Sequence, residues 1–229
     1  MPKKKMEFLY GDRVLQLQIC DILKAPVDVI VNPANGALMH GGGLALKIQD
    51  AAGSELEKQS RLLIAEHGEL ESGMAVYTSA GNLPYKAVIH AVGPIMGEGY
   101  EQDKLEQVFS RSLLLCETND WQSIAFPAIS TGVFRVPVNI CAQACYKAIT
   151  HFWDARSSCA VEKIIICLTE NNFPDFFEAF REESFDNKLL VEGQHSVNES
   201  SSSEGKVGYI EIDENEIPEQ DDEIQDWFK

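Results

Sequence analysis

Two stretches of this sequence concentrate residues suited to holding an anion with main chain alone. The first runs Asn32-Pro33-Ala34-Asn35-Gly36-Ala37-Leu38-Met39-His40-Gly41-Gly42-Gly43. The second is Pro127-Ala128-Ile129-Ser130-Thr131-Gly132-Val133-Phe134. Consecutive glycines are costly in conformational entropy, so a triplet points to backbone that must come very close to something. Here it opens a segment with helical spacing from near Leu44. The first turn of a helix offers unpaired N–H groups and the positive end of its dipole. The second stretch gathers small and hydroxyl residues around Gly132. Two such loops side by side can grip a diphosphate from both sides. For either loop alone, a turn with no ligand is the plain alternative.

The elements that carry these loops follow from periodicity. Residues 14–20 alternate like a half-buried strand, and residues 27–31 form the short apolar run of a strand buried on both faces. Further strands are expected at 75–79, 87–92, 123–126 and 163–168. Helical spacing covers 43–52, 55–65, 104–117, 137–152 and 173–185. Pro137 suits a first turn, and Phe176, Phe177 and Phe180 share the apolar side of the last helix. Alternating strands and helices imply an α/β fold with a largely parallel sheet covered on both faces. Ligands of such sheets bind beyond the carboxyl ends of the strands. Both loops directly follow strands.

Composition narrows the partners. The chain has 229 residues, 45% of them hydrophobic, and a formal net charge of −17. That charge repels phosphate backbones and makes nucleic acid an unlikely partner. A nucleotide-sized anion can still be held by local N–H groups. Residues 196–229 carry eleven acidic residues against two lysines, leaving −8 for the rest. This serine-rich, acidic stretch reads as a disordered linker or, through Ile210, Ile212, Ile217, Ile224, Trp227 and Phe228, as a segment that docks on a protein partner. No run is long and apolar enough for a membrane span, and the N-terminus has no apolar signal core. A cytoplasmic or nuclear address is expected. Cys20, Cys116, Cys141, Cys145, Cys159 and Cys167 form no metal-ligand spacing and read as reduced structural thiols. No metal or cofactor is expected.

Taken in order, Cys20-Asp21-Ile22, residues 31–35 (Val-Asn-x-x-Asn), His40 to Gly43, residues 89–94 (Ile-His-x-Val-Gly-Pro) and the Pro127 to Phe134 stretch form a specific joint pattern. This set resembles the macro domain family over roughly residues 10–185. The Gly-Gly-Gly-Leu-Ala-Leu run is most similar to the first macro domain of poly-ADP-ribose polymerases that carry several, and coronavirus macro domains look similar there. The resemblance implies a three-layer α/β/α fold with a mixed, largely parallel central sheet. It divides the chain into an N-terminal extension (1–10), a macro domain (11–187) and an acidic tail or linker (188–229).

The resemblance also implies site roles around ADP-ribose. Asp21 would accept from the adenine amine and Ile22 would offer its N–H to the ring; a turn cap is the alternative for Asp21. Asn35 would contact the distal ribose, where an amide can donate and accept at once; its alternative is an Asx turn. His40 would reach the same ribose or its water, or be a surface residue. Gly42, Gly43 and Leu44 would supply backbone to the distal side of the pyrophosphate. Ser130, Thr131, Gly132 and Val133 would wrap the phosphates, and Phe134 would pack beside the distal ribose or in the core. Asn32 is expected to fix the loop and His90 to be a satisfied core residue.

Four positions depart from the family pattern, one being Arg135, which replaces a small residue common after the loop aromatic and would lie over the phosphates or point to solvent. Cys20 stands where the family usually has Gly. Ala45 stands where one hydrolase branch has an Asp to orient water, although viral-type domains that hydrolyse carboxylate-linked ADP-ribose also have Ala there. The adenine-stacking aromatic is replaced by Thr169, with Phe173 as a weak candidate. The expected function is binding of ADP-ribose and hydrolysis of mono-ADP-ribose from protein Asp and Glu esters, with Asn35 and His40 as catalytic candidates. The alternative is a reader that binds ADP-ribosylated proteins and leaves them unchanged.

Overall fold

The computed structural model describes residues 5–156 and 158–186. The proposed tail segment lies outside them. Among the described residues seven strands form one sheet: β1 (Lys5–Tyr10), β2 (Arg13–Ile19), β3 (Val29–Ala34), β4 (Ala75–Thr78), β5 (Ala87–Val92), β6 (Ser123–Pro127) and β7 (Lys163–Leu168). Five helices accompany them: α1 (Gly43–Ala52), α2 (Ser54–His67), α3 (Glu101–Thr118), α4 (Val138–Asp154) and α5 (Phe173–Asp186). The strand order is β1-β2-β7-β6-β3-β5-β4. The inner strands β2, β7, β6, β3 and β5 run parallel, and the edge strands β1 and β4 are antiparallel. The sheet is therefore mixed and largely parallel. It begins at Lys5, because Lys5 pairs with Gln18 and Tyr10 with Arg13. The stretch read as an N-terminal extension thus supplies an edge strand from residue 5 onward. Its alternation is short, with only Met6 and Phe8 turned into the core.

Successive residues of the central strands face opposite layers, as a pleated sheet requires. Ile124 and Phe126 pack toward α3, α4 and α5, while Ala125 packs toward Ile48, Ala52 and Leu56 of α1 and α2. Likewise Ile164 and Ile166 face one layer, and Ile165 and Cys167 the other. This explains why the parallel strands read as continuous apolar runs. Burial pushes the thiols of Cys116, Cys141 and Cys145 up, so they stay protonated among apolar neighbours.

β3 runs further than its apolar run announces, taking in Asn32, Pro33 and Ala34. Those residues pair with His90, Ala91 and Val92 of β5, whereas pairing with β6 stops at Val29↔Ile124 and Ile30↔Ala125. Pro33 thus sits where only one flank of the strand is paired, a place that tolerates a residue without an N–H.

Candidate functional site

The early end of the β3–β6 ladder creates a crevice. β6 continues beside β7 as far as Pro127↔Cys167, and β3 continues beside β5 as far as Ala34↔Val92. Their carboxyl ends therefore part company. From there β3 leads into α1 on one layer and β6 into α4 on the other. This is the switch point at which open α/β sheets bind ligands, and the two glycine-bearing loops form its lips.

The first lip ends in an uncapped helix. Gly42 is the N-cap of α1, its backbone is extended, and no side chain caps the first turn, which holds no acidic residue. Gly43 begins the helix at φ +59, a conformation that favours glycine. A side chain at Gly41, Gly42 or Gly43 would meet no protein atom within 4 Å, so internal packing does not explain the triplet. The first-turn N–H groups have no side-chain cap and lie at the positive end of the dipole.

The second lip is closed by its own hydrogen bonds. Thr131 N donates to Ala128 O at 3.4 Å, Arg135 N to Gly132 O at 3.1 Å and Val136 N to Ser130 O at 3.0 Å. The Thr131 hydroxyl donates to Ala128 O at 2.8 Å. The N–H groups of Gly132, Val133 and Phe134 take no part in these bonds. Three successive main-chain donors in a tight loop are an anion-binding arrangement. The two donor sets follow the carboxyl ends of neighbouring strands, β3 and β6.

The sequence profile of the macro domain family matches residues 31–145, half of the chain. An O-acetyl-ADP-ribose deacetylase of Escherichia fergusonii is 43% identical over 154 residues, which are 66% of this chain and 86% of that protein. The Oceanobacillus iheyensis macrodomain with ADP superposes with a TM-score of 0.75 at 30% identity, over 80% of this chain and 98% of the other. A point mutant of that macrodomain with ADPR gives 0.74 at 30%, over 79% and 99%. The chain belongs to the macro domain family.

Within this macro domain, Asp21 and Ile22 follow the end of β2, at the far side of the parallel ends from β3. Asp21 caps a short 3-10 turn, Ile22–Lys24, by accepting from Leu23 N at 3.1 Å. The cap occupies one lone pair of a carboxylate that has about four, so the capping and ligand readings coexist. The turn's remaining bonds run from Lys24 N and Ala25 N, which leaves Ile22 N–H outside them. Cys20 packs its sulfur 3.0 Å from that of Cys167, tying the end of β2 to β7 where the family usually has Gly.

Asn35 follows β3 and forms a two-point staple. Its Nδ2 donates to Met39 O at 2.9 Å, and its Oδ1 accepts from Met39 N at 2.9 Å. The macro domain thus uses Asn35 to fold the first lip. The second amide hydrogen and second lone pair are not used by that staple. Gly42, Gly43 and Leu44 begin α1 beside it.

His40 requires a correction. It is buried, with Nδ1 3.1 Å from Asn32 Nδ2 and Nε2 3.1 Å from Ser60 Oγ. Both ring nitrogens are engaged within the protein, which fits a positioning residue rather than the exposed or ribose-facing side chain expected. Burial lowers its pKa and favours the neutral ring, partly opposed by the carboxylate of Glu57. His90 is the satisfied core residue that its apolar strand implied: Asn32 Nδ2 lies 3.0 Å from its Nδ1, and Thr78 Oγ1 2.9 Å from its Nε2.

Ser130 is corrected in part. Its side chain is buried behind the second lip, with no partner for Oγ among the described residues. Only its main chain belongs to the loop wall, and it adopts φ +64. Phe173 is core, stacked 6.4 Å from Phe177 and 6% exposed, so it is not an adenine platform. Thr169 caps the start of α5 through Asn172 and Phe173. Phe134 is half-buried, and its carbonyl accepts from Met96 N at 2.9 Å, joining the β5–α3 loop to the second lip.

Two supporting residues escape the sequence reading. The Tyr85 hydroxyl donates to Ile22 O at 3.0 Å and anchors the Ile22–Lys24 turn; burial first, then the neighbouring Cys167 and Asp21, push its pKa up to about 12. Gly93 lies under the second lip, where an added Cβ would fall 2.1 Å from Ser130 Oγ and 2.6 Å from Ile129 Cγ2. The Gly-Pro in the motif is a visible signal for Gly93. Nothing local in the sequence marks Tyr85, whose partner is 63 residues away. A shallow concavity at Ser110, Arg111, Leu114, His151, Phe152 and Arg156 lies on the α3–α4 side, away from the strand ends.

Proposed function

We propose that the domain binds ADP-ribose across the β3–β6 crevice and hydrolyses ester bonds at its distal ribose. One observation carries the reading: two sets of main-chain N–H donors, uncapped in α1 and outside the internal bonds of the β6–α4 loop, follow the parallel strands β3 and β6 where their pairing ends. Asp21 and Ile22 would read adenine at the end of β2. The pyrophosphate would lie against Gly42, Gly43 and Leu44 on one side and against Ser130, Thr131, Gly132 and Val133 on the other. Asn35 and Phe134 would hold the distal ribose. The likeness to O-acetyl-ADP-ribose deacetylases supports hydrolysis of ADP-ribose derivatives.

The substrate proposed is mono-ADP-ribose on a protein Asp or Glu. Like an O-acetyl group, that linkage is an acyl ester on the distal ribose. Water displaces the protein carboxylate at the anomeric carbon, its proton passing to a phosphate oxygen of the substrate; or it adds to the ester carbonyl and expels the ribose oxygen, which takes up the proton the water loses. On the first route the leaving group is a carboxylate, a good one, so no side-chain acid is required; on the second the water's own proton serves the departing ribose oxygen. Ala45 therefore does not bar the reaction. Positioning supplies most of the acceleration, and fixed N–H donors add to it.

A reader that binds without hydrolysis is the second reading, and Ala45 favours it, since no carboxylate at that position orients water. The test measures release of ADP-ribose from an ester-linked mono-ADP-ribosylated protein, with calorimetry of free ADP-ribose and ATP alongside. Time-dependent release supports the hydrolase. Tight binding of ADP-ribose without release supports the reader. Equal affinity for ADP-ribose and ATP would sink both.

A further inference from the structure

Nine large apolar side chains are exposed among the described residues, and five of them lie on the three loops that follow β3, β5 and β6: Met39, Ile95, Met96, Tyr100 and Val133. Tyr100 is 79% exposed and Val133 86%. Single exposed apolar residues need no account, but a cluster beside a cleft does.

This cluster is held in place rather than loosely displayed. In the β5–α3 loop, Ile95 N donates to Glu98 Oε2 at 3.0 Å, and Gly97 N and Gly99 N donate to Glu101 Oε1 at 2.7 and 3.1 Å. Lys104 Nζ donates to Glu98 Oε1 at 2.7 Å. Met96 N then ties the loop to Phe134 O. The two carboxylates of the loop are thus consumed by main chain and Lys104. Beside exposed Glu98 and Arg135 the rim presents these apolar side chains to solvent, and the ordering cost of the β5–α3 loop is met before anything binds.

Strand order says what lies next to it. A ligand read by Asp21 at β2 and held at the β6–β3 separation points its far end toward β3 and β5. We infer that the rim of Ile95, Met96, Tyr100, Met39 and Val133 docks the peptide segment that carries the ADP-ribosyl group, selecting apolar side chains beside the modified residue. The inference rests on the ADP-ribose reading above and adds the carrier. With a net charge of −17 on the chain, further acidic residues in the segment are disfavoured.

The test uses the full chain and two peptides, each bearing one ADP-ribose through a stable amide linkage. One has Leu or Phe on either side of the modified residue, the other Gly and Ser. Calorimetry is run on wild type and on Ile95→Ser/Tyr100→Asn, with free ADP-ribose as the reference ligand and thermal melting to confirm folding. Wild type binds the apolar-flanked peptide about tenfold more tightly than the Gly/Ser peptide, the worth of one or two side-chain contacts. The double variant loses that preference and keeps the wild-type Kd for free ADP-ribose. Equal affinity of wild type for both peptides overturns the inference and leaves the ADP-ribose reading standing. So does a preference that persists in the variant. Failure of wild type to bind free ADP-ribose overturns both.

Discussion

The imidazoles of His40 and His90 stack with ring centroids 5.1 Å apart, and one amide serves both. Asn32 Nδ2 lies within 3.1 Å of each Nδ1. An amide has two hydrogens, one for each ring. Each neutral imidazole then carries its own hydrogen on Nε2, facing Ser60 Oγ or Thr78 Oγ1. Thr78 passes its hydroxyl hydrogen to Ser79 O at 3.1 Å. This assignment of tautomers follows from the network. It ties α2, β3, β4 and β5 together directly behind the first lip.

The pH dependence of stability follows. Burial, then the neighbouring His40, lowers the His90 pKa from 6.5 to about 3, and burial lowers that of His40. Between those values the unfolded chain binds protons that the folded chain refuses. Stability is therefore full above about pH 6.5 and falls as the pH drops toward 3, by about 1.4 kcal/mol per pH unit for His90. Urea denaturation at pH 7.5 and pH 5.5 checks this; equal midpoints would contradict a neutral buried pair.

Asn35→Ala removes both the Met39 staple and the proposed ribose contact. Release of ADP-ribose from the ester-linked substrate drops about a hundredfold, as expected for a lost positioning group. Stability falls by only about 1 kcal/mol, because two partly exposed hydrogen bonds are lost. Turnover close to wild type would remove Asn35 from the mechanism.

Gly93 and Ser130 are coupled. Gly93→Ala drives a Cβ into Ser130 Oγ and Ile129 and costs about 2–3 kcal/mol. Ser130→Gly alone stabilises by about 1 kcal/mol, relieving a φ of +64 and an unpartnered buried hydroxyl. The double variant recovers part of the Gly93→Ala loss, and a thermal-melt cycle measures the difference. Strict additivity would show that the lip does not rest on Gly93.

Tyr85→Phe frees the Ile22 carbonyl from its anchor. Affinity for ADP-ribose weakens about three- to tenfold, in line with one hydrogen bond, while kcat at saturating substrate stays near wild type. Calorimetry and steady-state rates separate the two. A fall in kcat with unchanged affinity would move Tyr85 away from the adenine side.

Much of the architecture is legible in the sequence because its signals are local. The apolar runs at β3, β5, β6 and β7 and the glycine loops after β3 and β6 lie within a few residues of what they determine. The edge strand β1 is hidden because its short alternating segment adjoins three lysines. His40 misleads for a different reason. Its neighbours in sequence are glycines, which mark a ligand face, whereas its partners Asn32, Ser60 and His90 are brought together only by the sheet. Tyr85 and Gly93 act through contacts between separate loops, which periodicity does not record. For Asn35 the sequence admits a ligand contact or an Asx turn, and the fold makes the turn while leaving the amide capacity for the contact.

The brevity of the β3–β6 ladder bears on more than where a nucleotide would lie. With two matched residue pairs between those strands, the sheet has a thin seam through its middle. A molecule gripping both borders of that seam acts as a rivet, and occupancy should slow amide exchange along β3 and β6 more than along the well-stitched β2 and β7.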